Sequence, residues 1–381
     1  MSSAREGSRA RRAVAVCLAV AATGCGEGAP RPPLFEAPDA GSVALDAGPP
    51  SDAGGGGGCA LTTPLSSRAG ARTGQRVTLA SEARDAADIV VDDAWVYWVD
   101  HRAGTIHRVA RDGTGAVTLA SDELHPDGLA LDEGYLYWLS GDFDHAALRR
   151  MPAAGGEVVS LGRARRITIF QSARHRVAFD ARYVYWPDVG DDPFTDGSIY
   201  RLPKSGGAPE AVVSGIVAPA SVVVDRCNLY WLAVGPLVAT GSALYRGELA
   251  TAPVEGGPTR VLAAEQYNVG DLVVDERYVY WSVSGRDVED GTIQRVAKSG
   301  GAPTTLVDRQ FIGLALAIDD RSLYTLEDGL VAIPLSGGAP TTLVPRLSFS
   351  GSSGVSVDAR GVYFAGSVGG AWALNFLPFA P

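Results

Sequence analysis

Residues 89–100 read IVVDDAWVYWVD: three β-branched residues, a short polar segment, and a second apolar run that carries Tyr97 and Trp98. Two apolar runs of this kind joined by a short polar segment are typical of a β-hairpin. The arrangement recurs along the chain, each time with an Asp followed five residues later by a Tyr. The seven pairs are Asp92/Tyr97, Asp132/Tyr137, Asp180/Tyr185, Asp225/Tyr230, Asp275/Tyr280, Asp319/Tyr324 and Asp358/Tyr363. Their spacing of about 40–50 residues is typical of a repeat protein.

Each repeat contains four short apolar runs, which we name strands A to D in chain order. In the first repeat they fall near residues 89–91, 95–99, 105–109 and 117–119. A pair of glycines precedes strand D in five of the repeats, and it supplies the positive φ angles that a tight turn needs. Four-stranded units at this period predict an all-β fold, a β-propeller with one antiparallel blade for each repeat.

The two ends of the repeat region predict how the ring closes. The chain ends soon after the seventh strand C at residues 371–375, so the last repeat lacks a strand D of its own. Residues 76–80, RVTLA, match the strand D pattern and precede the first strand A. We therefore predict a seven-bladed propeller over residues 76–381 in which this N-terminal strand is the outer strand of the last blade. Such closure removes exposed sheet edges.

Within the repeat, Tyr and Trp at neighbouring positions of strand B point to opposite faces of a blade, so each is expected to fill the gap to one neighbouring blade. The Asp is expected to close the A–B turn through its side chain. A ring of seven Asp around a cation is the alternative. Four arginines at one position of strand C are expected to pair with acids of adjacent blades: Arg108, Arg150, Arg201 and Arg295.

Tyr97-Trp98-Val99-Asp100 and Tyr185-Trp186-Pro187-Asp188 resemble the YWTD repeats of low-density-lipoprotein-receptor class B propellers. The resemblance covers nearly all of residues 76–381. It implies a propeller fold and a role in protein recognition, and it carries no catalytic residue. Two departures are visible: those propellers have six blades rather than seven, and the last two repeats replace the Trp, with Thr325 and Phe364.

The N-terminal residues have the features of a targeting signal. Four arginines within residues 5–12 precede an apolar run at 13–21, which is too short to span a bilayer. The following Ala22-Thr23-Gly24-Cys25 resembles a bacterial lipoprotein box, which implies that a signal peptide, residues 1–24, is removed and that Cys25 is acylated. An ordinary signal peptide is the alternative. We expect a protein of the cell envelope held by a lipid anchor, with Gly26 favouring the outer membrane.

Residues 25–75 are predicted to be a lipid-anchored flexible linker. Up to Gly58 this segment consists largely of Pro, Ala, Asp and Gly, which cannot bury enough apolar surface to fold. Removal of residues 1–24 takes away four Arg and one Glu, which changes the formal net charge from −10 to −13. Such an acidic surface argues against nucleic acid and anionic lipid head groups as partners.

Strand alternation predicts that the B–C and D–A loops lie on one face of the ring, which we call the front face. The A–B and C–D turns lie on the opposite, back face. Loops that differ between blades carry function in such scaffolds. The sequence therefore predicts a non-catalytic envelope protein that recognises or scaffolds a protein or glycan through its front face.

Histidine placement suggests an alternative function. Four of the five histidines fall in predicted front-face loops of the first three blades: His101, His125, His145 and His175. Convergent histidines with nearby acids would suit a lyase or hydrolase assisted by a divalent metal. No Gly-x-Ser-x-Gly, phosphate loop or Cys-x-x-Cys motif is present.

The B–C loop of the third blade is acidic, with carboxylates at Asp188, Asp191, Asp192 and Asp196. Four carboxylates with glycines among them could hold a calcium ion, although their spacing differs from that of an EF-hand. The alternative is a solvated acidic loop that neutralises the basic D–A loop at residues 163–176. No other cofactor is expected.

Two cysteines remain once Cys17 of the signal peptide and Cys25 are set aside: Cys59 and Cys227. Cys227 lies in the A–B turn of the fourth blade, and the segment that follows Cys59 is expected to begin on the same back face. The envelope is an oxidising compartment. We therefore predict a Cys59–Cys227 disulfide that straps residues 59–75 across the back face.

Overall fold

The computed structural model describes residues 60–67, 72–81, 83, 85–141, 146–164, 174–191, 195–239, 244–286, 290–310, 315–349 and 353–380. These residues form thirty β-strands and no α-helix. Accordingly, the described part contains no helix that is long and apolar enough to cross a bilayer. The predicted signal peptide, the predicted acylation site Cys25 and most of the predicted linker lie outside the described residues.

The strands form seven antiparallel sheets, each of which is one blade. Two strands precede the first blade: β1 (Arg72–Thr73) and β2 (Val77–Ser81). The first three blades contain β3 (Ala86–Val91), β4 (Trp95–Asp100), β5 (Thr105–Ala110) and β6 (Val117–Ala120); β7 (Asp127–Asp132), β8 (Tyr135–Ser140), β9 (Ala147–Pro152) and β10 (Val159–Arg163); and β11 (Ala178–Phe179), β12 (Tyr183–Asp188), β13 (Gly197–Pro203) and β14 (Glu210–Ile216).

The next three blades follow the same order, and the fourth carries an extra strand in its front-face hairpin. They contain β15 (Pro219–Val224), β16 (Asn228–Ala233), β17 (Leu237–Ala239), β18 (Leu244–Pro253) and β19 (Arg260–Tyr267); β20 (Val269–Val274), β21 (Tyr278–Val283), β22 (Gly291–Ala297) and β23 (Thr304–Gln310); and β24 (Ala317–Ile318), β25 (Ser322–Leu326), β26 (Gly329–Pro334) and β27 (Thr341–Pro345). The last blade contains β28 (Val355–Asp358), β29 (Gly361–Val368) and β30 (Ala371–Ala380).

The ring closes as the sequence predicts. Strand β2 pairs antiparallel with β30, with Val77 opposite Phe376 and Ser81 opposite Ala373. Strand β1 continues along the same edge, with Arg72 opposite Ala380. The N-terminal strand is therefore the outer strand of the seventh blade, and the predicted seven-bladed propeller is confirmed.

Seven apolar cores lie between neighbouring blades, and five of them pair a Tyr from one blade with a Trp from the next. Tyr97 packs in the same core as Trp138, and at the closure Tyr363 shares a core with Trp98. An aromatic side chain buries about 150–250 Å², which contributes roughly 4–6 kcal/mol before the entropic cost of ordering. Between the fifth and sixth blades, Leu323 and neighbouring aliphatic residues pack against Tyr280. The missing Trp of the sixth repeat is thereby replaced.

The repeated Asp closes the A–B turn, as predicted. Asp92 Oδ1 accepts hydrogen bonds from the backbone amides of Ala94 and Trp95, at 2.8 and 2.7 Å. Its other oxygen, Oδ2, accepts the hydroxyl of Tyr97 at 2.8 Å, which explains the five-residue spacing. The same Asp–Tyr bond recurs in the third to sixth blades. Burial and the neighbouring carboxylate raise the pKa of Tyr97 above its ordinary value, so the phenol remains a donor.

The arginines of strand C bind differently from the prediction. Instead of pairing mainly with acids, three of them donate from Nη1 to a backbone carbonyl of the next blade: Arg108 to Ala153, Arg201 to Val254 and Arg295 to Leu335. The acceptor is each time the first residue after the neighbouring strand C. Each guanidinium also lies over an aromatic ring of its own blade, as Arg108 does over Trp95. Among these three arginines, only Arg201 also forms ion pairs, with Glu210 and Glu255.

Candidate functional site

Variation in loop length is concentrated on the front face. The B–C loops range from two residues (327–328) to ten (234–243), and the D–A loops from one (Asn268) to fourteen (164–177). On the back face, the C–D turns within the chain all contain six residues, and the A–B turns contain two or three. Turn lengths are thus nearly constant on the back face, whereas loop lengths differ between blades on the front face, as the sequence predicts.

A group of charged side chains lies where the innermost strands meet at the axis, towards the front face. We call it the axial cluster; its members are Asp88, Asp127, Arg174, His175, Arg176 and Asp271. Three of them are consecutive in the chain, at the start of the third blade's innermost segment. Because they are consecutive, their side chains diverge and reach different blades.

Each of the three consecutive residues has an acidic partner from another blade. Arg174 binds Asp88 Oδ1 of the first blade at 3.0 Å and also donates to carbonyls of the first and seventh blades. The Nδ1 atom of His175 lies 3.0 Å from Asp127 Oδ2 of the second blade. The third residue, Arg176, reaches the opposite side of the ring.

Arg176 forms a two-pronged ion pair with Asp271 of the fifth blade, at 2.5 and 2.6 Å, and donates to the carbonyl of Leu316 of the sixth blade at 2.7 Å. Asp271 is fully buried and also accepts the hydroxyl of Ser221 from the fourth blade and the amide of Leu316. Burial acts to lower the pKa of Arg176, but the Asp271 carboxylate more than offsets this effect, and the pKa is raised.

Asp88 is the acid of the cluster that lies on the innermost strand of the first blade. Its Oδ2 atom accepts the backbone amides of Gly128 and Leu129 at 2.7 and 3.2 Å. Burial and, next, the Asp127 carboxylate raise the pKa of Asp88 to about 7, against the opposing effect of Arg174. The Asp88 carboxyl is therefore partly protonated near neutral pH.

The axial cluster links all seven blades at the point where the ring would otherwise be hollow. Its charges are paired within it, which is the arrangement that a buried ionic group requires. The three acids are not among the site residues predicted from the sequence. A signal was present: Asp88, Arg176, Ser221 and Asp271 each stand four residues before the repeated turn Asp, and equivalent positions of a closed ring meet at its axis.

Three of the four predicted histidines gather around residues 125–127. The Nδ1 atom of His101 lies 3.1 Å from the Pro126 carbonyl, and the rings of His101 and His125 lie with their centroids 5.2 Å apart. His175 belongs to the axial cluster, next to Asp127. His145 lies outside the described residues. Within the described part of the chain, no group of three or more His, Cys, Asp or Glu is placed to hold a metal ion.

The acidic loop is organised largely by its own backbone. Asp188 Oδ1 accepts the amide of Gly190 at 2.7 Å, and Asp196 Oδ2 accepts the amide of Asp191 at 3.3 Å. Arg163 of the basic D–A loop forms an ion pair with Asp191 at the surface. This is one of the contacts expected if the two loops neutralise each other. Asp192 lies outside the described residues.

The described arginines of the basic D–A loop have different partners. Contrary to the expectation that it would neutralise the acidic loop, Arg174 and Arg176 turn inwards to the axial cluster, where buried acids bind them. The physical reason is burial: a guanidinium inside the ring needs a carboxylate more than one in solvent does.

The leader, residues 60–67, lies against the A–B turns of the back face. The amide of Arg226 donates to the Ala60 carbonyl at 2.9 Å, and Leu61 forms a β-bridge with Asp225. At the other end, the amide of Asp320 donates to the Ser66 carbonyl at 3.1 Å. Cys227 is disulfide-bonded. Its predicted partner Cys59 lies outside the described residues, so the pairing stays a prediction.

Solved propellers resemble this chain in fold. A streptogramin B lyase structure matches with a TM-score of 0.55 at 8% identity, over 81% of this chain and 98% of that chain. An oligogalacturonate lyase in complex with manganese matches with a TM-score of 0.54 at 12% identity, over 84% and 98%. The computationally designed Ika8 protein matches with a TM-score of 0.50 at 13% identity, over 80% and 99%. No family model matches the chain. At these identities the likeness establishes the fold alone.

Proposed function

We propose that this chain is a lipid-anchored protein of the cell envelope whose propeller recognises a protein or a glycan through its front face, without catalysis. The observation that carries this proposal is the loop-length pattern. Six-residue C–D turns and two- or three-residue A–B turns repeat on the back face, while the front-face loops differ from blade to blade. Individual loops on a uniform scaffold are how propellers and similar folds acquire partners.

Exposed apolar side chains of the front loops support the same conclusion. Leu124 is 47% exposed in the D–A loop before the second blade, and Leu237 and Val238 are 42% and 45% exposed in the extra hairpin of the fourth blade. Leu237 and Val238 are adjacent in the chain, so they form one exposed apolar contact point on the front face that a partner would cover.

The anchor rests on the N-terminal sequence. Cys25 follows a basic head, a short apolar run and a small-residue box, and acylation there would hold the propeller at a membrane. Growth with an alkyne fatty acid should label the wild-type protein and leave Cys25→Ala unlabelled. Equal labelling of the two would contradict the anchor.

The front-face assignment is tested with a photo-reactive amino acid placed at single positions of the full chain in living cells. Positions Leu124 and Leu237 report on the front face, and Arg277, exposed in an A–B turn, reports on the back face. We expect the same cross-linked species from both front positions and none of it from Arg277. Cross-linking from Arg277 alone would refute the assignment.

The alternative function, a lyase or hydrolase assisted by a divalent metal, is favoured by one observation: His101, His125 and His175 gather around residues 125–127. Metal analysis of the purified protein separates the two functions. Stoichiometric divalent metal that is lost in a His101→Ala, His125→Ala double variant would favour the enzyme over the recognition protein.

A further inference from the structure

The back half of the central channel is a cavity of about 950 Å³. Its walls are the ends of the innermost strands of the second to sixth blades, with Leu131, Val177, Val223, Val273 and Ile318 among the lining residues. This size lies at the upper end of the range for small-molecule sites, roughly 300–1,000 Å³. The part of the wall formed by the innermost strands is mainly aliphatic, with charged side chains around it at the mouth, so this part suits an apolar body.

The leader crosses the mouth of this cavity, which we call the back cavity. Leu61, Thr62, Thr63 and Leu65 line it from the outside. The leader is held at the fourth blade through Ala60 and Leu61 and at the sixth blade through Ser66. It therefore lies across part of the opening, on the side of the fourth to sixth blades.

Arg176 provides a polar group in this cavity. Its Nε and Nη2 atoms are used by Asp271 and by the Leu316 carbonyl, whereas its Nη1 atom makes no hydrogen bond to the described residues. The side chain is 33% exposed, and Arg176 is one of the residues that line the back cavity. Its remaining N–H donors are therefore available to a ligand there.

The other charged groups at the mouth favour an anion. The acidic side chains of Asp132 and Glu133 are engaged by Lys204, at 2.6 and 3.5 Å, and Glu255 lies 3.6 Å from Arg201. Arg226, also at the mouth, uses only its backbone amide in the contact with the leader. Asp180, the fourth carboxylate of the lining, accepts the amides of Arg182 and Tyr183 and the hydroxyl of Tyr185. Three of the four lining carboxylates thus have a basic partner, while guanidinium groups keep unused donors, which match a carboxylate.

We propose that the back cavity binds a small monocarboxylate with an aliphatic body, its carboxylate directed to Arg176 and its chain against the valines of the innermost strands. The site lies on the opposite face from the loops that carry the proposed function. Either proposal can therefore fail alone.

The test is calorimetric titration of the full-length protein in lipid nanodiscs, with empty nanodiscs titrated in parallel. Octanoate is the probe, and octanol and octylamine carry the same chain with a neutral and a cationic head group. We expect saturable binding of octanoate, and binding at least about tenfold weaker for the other two. Hexanoate should bind about tenfold more weakly than octanoate, because two methylene groups fewer are buried.

Two variants fill the cavity from opposite sides. Val223→Trp does so from the fourth blade, and Thr63→Trp does so from the leader without touching the apolar cores. The matched control, Val261→Trp, adds the same ring on the exposed outer strand, where Val261 is 47% exposed. We expect octanoate binding to weaken about tenfold or more in both cavity variants and to be unchanged in the control.

Equal octanoate affinity in all three variants, or no saturable binding by the wild type, would overturn the site. Octanol or octylamine binding as tightly as octanoate would overturn the assignment of its ligand to carboxylates.

Discussion

Replacing Asp271 by Ala removes the centre of the axial cluster. The substitution takes away both acceptors of the two-pronged pair with Arg176 and leaves the amide of Leu316 without its carboxylate. Breaking a buried ion pair by removing one partner typically costs about 3–5 kcal/mol, because the remaining charge stays in a poorly solvated place. The Arg176 side chain is 33% exposed to the back cavity, so water can partly replace the carboxylate. We therefore expect a loss of about 3 kcal/mol.

That loss converts to a modest fall in melting temperature. The compact unit spans Gly56–Pro381. With an unfolding entropy of about 2 cal/mol/K per residue, a loss of about 3 kcal/mol lowers the melting temperature by roughly 5 °C. The variant should therefore fold and remain measurable by urea denaturation.

A double-mutant cycle tests whether the pair, rather than either residue alone, is responsible. Arg176→Ala should also destabilise, because it leaves Asp271 buried without its cation. The double variant should lose less than the sum of the single losses by about 2 kcal/mol, since neither charge is then stranded. Additive losses, with a coupling energy below about 0.5 kcal/mol, would refute the reasoning.

The matched control is an exposed pair on the same protein. Arg246 and Glu265 lie 3.7 Å apart, and their side chains are 48% and 70% exposed. Glu265→Ala should change the free energy of unfolding by less than about 0.5 kcal/mol. A loss there comparable to that of Asp271→Ala would show that burial is not the cause.

Three further results are expected. Tyr280→Phe removes the hydroxyl that binds Asp275 at 2.6 Å, and urea denaturation should show a loss of about 1–2 kcal/mol; an unchanged midpoint would count against the Asp–Tyr turn. Cys227→Ser should lower the free energy of unfolding by about 2–4 kcal/mol and abolish the effect of reductant on the melting temperature. Peptide mapping of the wild type should show the Cys227 peptide cross-linked to the Cys59 peptide, and a different partner would disprove the predicted pairing. The folded-state pKa of Asp88, about 7, lies above its ordinary value of 3.8. Its contribution to the free energy of unfolding is therefore complete below about pH 4 and is lost as the pH rises to about 7. Asp88→Asn should flatten that decline in stability, and parallel pH profiles of stability for variant and wild type would contradict this expectation.

The architecture could be predicted because its signals are local. The Asp and the Tyr of each repeat are five residues apart, so one short stretch of sequence specifies a hairpin, and counting such stretches specifies the number of blades. The closing strand was predictable for a related reason: one repeat lacked an outer strand and one outer strand lacked a repeat. Both predictions follow from counting repeats and strands along the sequence, without knowledge of which blades are in contact.

The charged sites could be predicted only in part. Residues 163–176 were recognisable as basic and residues 188–196 as acidic, and the Arg163–Asp191 contact follows from their proximity in the chain. Arg174 and Arg176 have partners that lie far away in the sequence. Arg174 binds the carbonyl of Ser353, which is 179 residues away in the chain.

By itself, the sequence of this protein determined a closed ring of seven blades, a strand order within each blade, and the face on which the loops vary. These properties depend on hairpin periodicity and on alternation along a strand, which are properties of neighbouring residues. Only the tertiary structure decided which side chains meet at the axis, that the channel holds paired charges towards the front and an aliphatic cavity towards the back, and that the leader lies across the mouth of that cavity. The physical reason is that closing the ring brings equivalent positions of distant repeats within hydrogen-bond distance, and the choice of partners there is made by burial and charge rather than by spacing in the chain.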